Sequence, residues 1–317
     1  MDLRQLKSLV LLVEYDYSVS RTAQSLHLVQ PAVSQHIKQL EANLSTRLFL
    51  RQGKRLVGLT EAGERVVHYA RNILADTANI LAVGQDHVSE DVGTLRIGTT
   101  HTQARYVLPP VIRRFSLAYP KVELQILEGR PQQLVDMAVQ DKVDFAICTE
   151  ALSNNPALLA IPCNRWNRCL IAPDSHAVLR CKQITLKALC RYPIITYVVG
   201  FTGRGHLNET FSNAGLMPHV VLSATDTDVI KTYVREGLGI GIIAELAYER
   251  EKDQDLGMRE LNHLFPWEVT KIGYRRDKYL RHHQQRFIDL FQAASARMES
   301  AAESADRINV NRPKGAG

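Results

Sequence analysis

The sequence lacks long hydrophobic runs, paired cysteines and the common catalytic signatures. No apolar stretch approaches the ~18 residues of a membrane span, and the amino terminus has no signal-peptide pattern, so we expect a cytoplasmic protein. Its five cysteines include no CxxC pair, which favours reduced thiols over a disulfide framework or a zinc site. GxSxG, HExxH and P-loop motifs are absent, so we expect neither an enzyme nor a bound metal or cofactor.

The positive charge of the chain is concentrated in its first sixty residues. That segment holds eight Lys/Arg and four Asp/Glu, which is +4 of a formal net charge of +6. Concentrated basic charge supplies the salt-dependent part of DNA affinity. With 317 residues, of which 45% are hydrophobic and 23% charged, the chain is typical of a folded protein of roughly two domains.

Residues 1–59 have the pattern of a winged helix-turn-helix. Residues 18–26 predict a short helix, 27–29 a turn, and 30–44 a second helix with Pro31 in its first turn. Apolar residues recur at helical spacing and are expected in a core: Ala32, Val33, Ile37, Leu40 and Leu44. A plain three-helix bundle would explain this periodicity equally well. The hairpin that follows, with QGKR at its tip, favours the DNA-binding interpretation because its tip is basic.

The candidate DNA contacts lie on the polar face of the second helix, around the first helix and at the wing. They are Ser18, Arg21, Thr22, Gln30, Pro31, Ser34, Gln35, Lys38, Arg51, Lys54 and Arg55. Amide and hydroxyl groups can read base edges, and basic side chains can contact phosphates. We therefore expect double-stranded DNA as a partner.

Residues 60–89 predict a long linker helix that Thr60 caps. Two apolar series repeat every seven residues, Val66/Ile73/Ile80 and Val67/Leu74/Leu81. This double seam favours pairing with a second subunit in coiled-coil fashion, and a core helix of one domain is the alternative.

From residue 93 the sequence alternates between strands and helices, which predicts an α/β domain with a mostly parallel sheet. We expect it to span 93–298 as two subdomains around a cleft. The first comprises 93–163 and 268–298, and the second 164–267. One helix is predicted near 103–119, and the polar residues 299–317 are expected to be an unstructured tail.

Hydroxyl-bearing residues follow several of the predicted strands. Thr99 to Gln103 follow the first, Thr149 follows the third, and Phe201 to Gly205 follow a strand of the second subdomain. Ligands collect at such strand ends, where free helix N–H groups suit a small oxyanion. A routine helix cap is the alternative for each threonine taken singly.

Over essentially its full length the sequence resembles LysR-type transcriptional regulators, and more narrowly their CysB group. The winged helix-turn-helix of residues 1–59, which we call the head, is common to the wider family. The strings that carry the closer resemblance are TTHTQARYVLP (99–109), DFAICTEAL (144–152), PCNRWNR (162–168), YPIITYVVGFTGR (192–204) and SATDTDVIKTYVREGLG (223–239). The resemblance implies a periplasmic-binding-protein-like effector domain, a homotetramer built as a dimer of dimers, and RNA polymerase as a partner at promoters of sulfur-assimilation and cysteine-biosynthesis genes.

The resemblance also implies the effector and its contacts. Sulfate, thiosulfate or acetylserine would bind in the cleft. The contacts would be Thr100, Thr102, Gln103, Thr149, Trp166 and Thr202. A close relative within the group responds to sulfonate supply or adenylyl sulfate.

The sequence departs from the group at Val29, where a hydroxyl residue is usual. Valine cannot cap the following helix. A solute-binding protein and a small-molecule enzyme are more distant alternatives.

Overall fold

The computed structural model describes residues 1–53, 55–88 and 91–310, and the chain divides into two compact units, Met1–Val88 and Ser89–Gly317. Among the described residues, none of the helices is both long and apolar enough for a membrane span. All five cysteines are free; Cys148 and Cys169 are buried and the other three are half-buried.

The first unit consists of three short helices, a two-stranded hairpin and a long helix. They are α1 (Leu3–Glu14), α2 (Val19–Ser25), α3 (Gln30–Asn43), β1 (Phe49–Gln52), β2 (Arg55–Leu59) and α4 (Glu61–Val88). A capping box between Asp2 and Gln5 starts α1, and the Ser18 side chain caps α2. Pro31 lies in the first turn of α3, as its sequence predicted. β1 and β2 pair antiparallel and form the wing.

The core of this unit joins α1, α3 and the first turns of α4. Val33, Ile37 and Leu40 of α3 are buried in it, as predicted. Leu44 is 37% exposed, contrary to the prediction, because it follows the last turn of α3 and has left the buried face. Ala32 is half-buried.

The apolar residues of helix α4 are buried in its first turns and exposed farther along. The Thr60 hydroxyl accepts a hydrogen bond from the Gly63 N–H at 2.9 Å and caps it as predicted. Val67 and Ala70 are buried in the core of the head, so the core-helix interpretation holds for the first turns. Farther along, Ile80 and Leu81 are 72% and 61% exposed, and Ile73 is 40% exposed. We call Ile73, Ile80 and Leu81 the α4 stripe.

The second unit is an α/β domain with two five-stranded sheets. Its strands are β3 (Gly93–Thr99), β4 (Val122–Glu128), β5 (Phe145–Cys148), β6 (Leu158–Trp166), β7 (Arg168–Pro173), β8 (Ile194–Tyr197), β9 (Val220–Ala224), β10 (Ile240–Ala244), β11 (Leu256–Glu260) and β12 (Glu268–Arg275). Its helices are α5 (His101–Tyr106), α6 (Leu108–Ala118), α7 (Pro131–Val139), α8 (Leu186–Leu189), α9 (Arg204–Asn213), α10 (Thr227–Arg235) and α11 (His282–Val310).

Each sheet defines one subdomain. Subdomain I has the strand order β4-β3-β5-β12-β6 and subdomain II the order β11-β7-β10-β8-β9. The chain passes from I to II between β6 and β7 and returns before β12. The expectation of a mostly parallel sheet was wrong, because β12 and β6 in one sheet and β7 and β11 in the other pair antiparallel. Both sheets are therefore mixed, because each also contains parallel pairs.

Two further elements differ from the sequence-based expectation. The single helix predicted near 103–119 is divided into α5 and α6 at Val107, because Pro109 and Pro110 follow and lack the N–H groups that a continuous helix needs. The last helix continues to Val310, so 299–310, which were expected to be unstructured, are helical. Their sequence is rich in alanine and glutamate, which favour helix. Residues 311–317 of the expected tail lie outside the described residues.

Candidate functional site

The polar surface of α3 is open to solvent. Gln30, Pro31, Ser34, Gln35 and Lys38 are all exposed. A groove of about 720 Å³ lies beside them, and it is lined by Ser20, Ala23, Gln24, Leu28, Val29, Gln30, Pro31 and Ser34. The sequence-based candidates on α3 therefore share one accessible face, next to the turn between α2 and α3.

The other candidate DNA contacts are placed differently. Thr22 is fully buried and its hydroxyl donates to the Ser18 carbonyl at 2.9 Å, so it stabilises α2 and is removed from the set of contacts. Arg21 is exposed and pairs with Asp16 at 3.1 Å, and Arg51 pairs with Glu41 at 3.0 Å. Ser18 is engaged as a cap.

At the wing tip, Arg55 begins β2 and is exposed. Lys54, the other candidate at this tip, lies outside the described residues. The wing therefore contributes one described basic side chain that is available to a phosphate.

In the second unit, the predicted ligand residues gather where the subdomains meet. Thr100 is the residue before α5, and its side chain makes no capping hydrogen bond. Thr102 and Gln103 are buried in the first turn of α5. Thr149 accepts a hydrogen bond from Trp166 Nε1 at 3.3 Å, which places the indole of subdomain I beside it. Thr202 lies in the loop before α9 of subdomain II and is 7% exposed. We call Thr100, Thr102, Gln103, Thr149, Trp166 and Thr202 the cup.

Several polar atoms around the cup are buried without a hydrogen-bond partner in the described part of the chain. They are Gln103 Oε1, Glu150 Oε2 and Arg168 Nη1. Gln103 uses only its Nε2, which donates to Thr270 at 3.0 Å, and Thr102 lies close enough to Tyr197 to influence that phenol. Buried polar groups are nearly always paired in folded proteins, so these atoms are available to pair with a bound polar molecule or with water.

A buried ion pair supports the cup, and sequence reasoning missed it. Arg168 donates to Glu268 at 2.6 Å and to the Gly203 carbonyl at 2.5 Å, and both charged side chains are 3% exposed. His206 Nδ1 lies 2.9 Å from the same carboxylate. Arg168 and Glu268 are 100 positions apart in sequence, so no local pattern pointed to the pair.

The loop before α9 has an uncommon backbone. Thr202 has φ 45° and Gly203 has φ 68°. A Cβ on residue 203 would collide with Arg168 and Glu268, so glycine is required there for close approach as well as for its conformation. Positive φ is unfavourable for β-branched threonine, and such strained residues cluster at ligand sites.

The Arg168–Glu268 pair joins subdomain II to subdomain I, and further polar contacts connect them beside the cup. The Gly203 N–H of subdomain II donates to Glu150 Oε1 of subdomain I. Burial raises the pKa of Glu150, and the Glu268 carboxylate adds to the rise while the Gly203 hydrogen bond opposes it. On α5, the Tyr106 hydroxyl donates to Asp228 of α10 at 2.7 Å. Although burial acts in the opposite direction, hydrogen bonds from Tyr106 and His101 lower the pKa of Asp228. Polar contacts of this kind can break and re-form when a ligand binds.

The fold and these two surfaces define a class of protein, a helix-turn-helix DNA-binding regulator with a separate two-subdomain ligand domain. A model of bacterial regulatory helix-turn-helix proteins of the lysR family matches residues 3–64, and a model of the LysR substrate binding domain matches residues 89–296. The chain belongs to the LysR family of transcriptional regulators. It is therefore a regulator and not an enzyme, as the sequence predicted.

Individual relatives are similar over most of the chain. The HTH-type transcriptional regulator CysB of Haemophilus influenzae is 40% identical over 311 residues, which are 98% of this chain and 95% of that protein. The regulator SsuR of Burkholderia cenocepacia is 40% identical over 291 residues, 92% and 94% of the two chains. The crystal structure of the cofactor-binding domain of the Cbl transcriptional regulator superposes with a TM-score of 0.62 at 40% identity, covering 64% of this chain and 89% of that one.

Proposed function

We propose that this chain controls genes of sulfur assimilation and cysteine biosynthesis in response to a small ligand held in the cup. Its similarity to the regulators CysB and SsuR supports the sulfur assignment. Control of sulfonate use, with adenylyl sulfate or sulfate as the signal, is the alternative. The observation that carries the proposal is the set of buried polar atoms at the junction of the subdomains that lack a partner.

The chemistry of the cup suits sulfate, thiosulfate or the carboxylate of acetylserine. Its threonine hydroxyls can donate to an oxyanion without introducing charge, and the unpaired Nη1 of Arg168 adds one buried cationic donor. Hydrogen bonds between charged and neutral groups are stronger than neutral ones. Glu268 already balances the charge of Arg168 and Glu150 adds a second carboxyl group, so the cup offers an anion no net positive charge and we expect binding that the cell can reverse as the ligand concentration changes.

We further propose that the protein acts as a homo-oligomer on DNA, with dimers joined through α4 and assembled as a dimer of dimers. The α4 stripe is exposed over two turns, and a second copy of the helix would cover it. Pairing fixes the spacing of two α3 helices, which is what recognition of two half-sites requires.

The mechanism follows from the contacts between the subdomains. A ligand in the cup would touch both Thr100 of subdomain I and Thr202 of subdomain II, and so would favour one arrangement of the subdomains over another. Only a ligand with different affinities for the two arrangements can shift their populations. The shift would alter how the paired heads engage promoter DNA and how RNA polymerase gains access to it.

A thermal-shift panel tests the proposal. The full chain is heated with sulfate, thiosulfate, acetylserines or adenylyl sulfate, with and without a fragment of a sulfur-gene promoter. A ligand at one hundred times its Kd stabilises the folded state by about 2.7 kcal/mol. Stabilisation by thiosulfate or an acetylserine supports the proposal, whereas a response to adenylyl sulfate, alone or with sulfate, would favour the sulfonate alternative. A protein that responds to none of them would contradict both.

Thr100→Val is expected to weaken sulfate binding roughly 10- to 100-fold, because it removes one hydroxyl donor to a charged ligand while keeping the shape of the side chain. Trp166 is 4% exposed in the wall of the cup, so a fluorescence titration with sulfate reports on binding. Thr232→Val is the matched control, because its hydroxyl bonds only within α10. DNA affinity without ligand should stay unchanged; if it fell in parallel, the cup would not be a separate site.

Lys38→Ala and Arg55→Ala are each expected to lower DNA affinity and to flatten its salt dependence. Each phosphate contact that is lost should reduce the slope of log K against log salt by about 0.9. Fluorescence anisotropy at several salt concentrations measures both quantities. Lys182→Ala removes the same charge from an exposed position of the second unit and should leave the slope unchanged. Unchanged slopes for the head variants would remove the phosphate assignment.

A further inference from the structure

The Val29 side chain neither packs in the core of the head nor caps helix α3. It is the residue before α3, with extended backbone (φ −85°, ψ 148°), and its side chain makes no capping hydrogen bond. Its side chain is 69% exposed, and the adjacent Leu28 is 41% exposed. Serine, threonine or asparagine at this position would stabilise the first turn of α3, so valine gives up a cap and gains no burial.

The surroundings of Val29 combine apolar and polar groups. Val29 and Leu28 form an apolar wall of the groove between α2 and α3, and Gln24, Gln30 and Ser34 supply amide and hydroxyl groups beside it. Thymine presents the same combination in the major groove, a C5-methyl group next to the O4 acceptor. The first residues of a recognition helix are the ones that approach base edges.

We propose that Val29 contacts the 5-methyl group of a thymine in each half-site of the operator, and so determines part of its sequence specificity. The inference rests on the DNA-binding function of the head. A base edge is the occupant that the groove fits, because the groove borders the exposed polar face of α3 in a unit with an excess of basic side chains. The contact is apolar, so it should be insensitive to salt.

Deoxyuridine substitution tests this directly, since deoxyuridine lacks only the methyl group. An operator is first selected from random duplexes with the full-length protein, and each thymine is then replaced in turn. For the wild-type protein we expect one thymine per half-site at which the replacement raises Kd about three- to fivefold, the effect of removing one buried methyl group. At that position, Val29→Ala and Val29→Ser should bind the thymine and deoxyuridine operators equally well.

Two controls separate recognition from folding. Val29→Ser carries a hydroxyl that can cap α3, so loss of discrimination in this variant cannot come from a weaker helix. Leu3→Ala removes an exposed aliphatic side chain on α1, outside the groove, and should keep the three- to fivefold discrimination. Salt dependence should be the same for all four proteins.

Several results would overturn the proposal. One is a deoxyuridine penalty that stays the same in wild type and both Val29 variants. Another is an equal affinity loss of Val29→Ala on every operator, because Val29 would then contact the sugar-phosphate backbone. Both leave DNA binding by the head intact, whereas a wild-type protein that bound no duplex at low salt would remove the proposed function as well.

Discussion

Replacing Arg168 with methionine is expected to destabilise the second unit by about 3–5 kcal/mol, because it leaves the Glu268 carboxylate buried with its main partner gone. The guanidinium also donates to the Gly203 carbonyl and lies 5.6 Å from the Trp166 ring centroid, so the loop before α9 loses its support. Differential scanning calorimetry of the full chain should show a fall in Tm on the order of 10 °C for the corresponding transition.

A double variant distinguishes an unpaired charge from lost packing. Arg168→Met/Glu268→Gln has no buried charge to leave unpaired, so it should recover at least ~1 kcal/mol relative to Arg168→Met alone. Arg180→Met is the matched control, since Arg180 is exposed and bonds only a backbone carbonyl, and it should change stability by less than ~0.5 kcal/mol. If the double variant were no more stable than the single one, the charge of Glu268 would not be the cause.

The same pair affects binding as well as stability. Its Nη1 is the one buried cationic donor without a partner that the described residues place beside the cup. The Glu268 carboxylate and the Gly203 carbonyl both accept hydrogen bonds from Nη2, so the guanidinium and its Nη1 are held in place before any ligand arrives. A donor that is already ordered contributes more affinity, because less conformational freedom is lost on binding.

Local sequence signals predicted the starts of helices and the strand ends correctly. Thr60 caps α4, as its type and position indicated. The residues from Thr99 to Gln103 lie at a strand-to-helix junction, as the alternation of elements indicated. These features depend on a few neighbouring residues, so the sequence is sufficient to find them.

Long-range pairing could not be predicted from the sequence. The antiparallel strands β6 and β11 were missed because their place depends on partners far along the chain, as does the contact between Gln103 and Thr270, which are 167 positions apart. Thr22 was misassigned because a seven-residue helix is too short for periodicity to show which face is buried. Glu150 directly follows Thr149 after β5. This neighbouring position was the one sequence signal that Glu150 lies beside the cup.

The apolar residues of α4 show how one pattern can serve two purposes. The seven-residue repeat was interpreted as a double seam that pairs with a second subunit, with a core helix as the alternative; its first members pack against α1 in the head, while the α4 stripe stays exposed. A monomer would therefore hold three large aliphatic side chains in water. An exposed apolar row on a helix is typical of a surface that another chain covers.

Ile80→Asp/Leu81→Asp is accordingly expected to separate the subunits and to raise the Kd for operator DNA at least about 100-fold. Charged groups cannot be buried unpaired between two helices, so the paired state is lost. Without pairing, the second half-site contact is no longer intramolecular, and linked contacts of this kind typically contribute 10²- to 10⁴-fold in affinity. Analytical ultracentrifugation measures the oligomeric state, and anisotropy titration with one-half-site and two-half-site duplexes measures the DNA affinity.

Comparing the one-half-site and two-half-site duplexes separates a loss of subunit pairing from a loss of DNA contacts within one subunit. Binding to a single half-site should be nearly unchanged, because α3 and the wing lie outside the altered positions. Asn72→Asp/Ala78→Asp adds the same charge to exposed positions of α4 outside the stripe and should leave assembly and affinity intact. An Ile80/Leu81 variant that still sedimented as wild type would show that the subunits are held together elsewhere. A variant that lost single-half-site binding as well would indicate a damaged head, since the first turns of α4 complete its core.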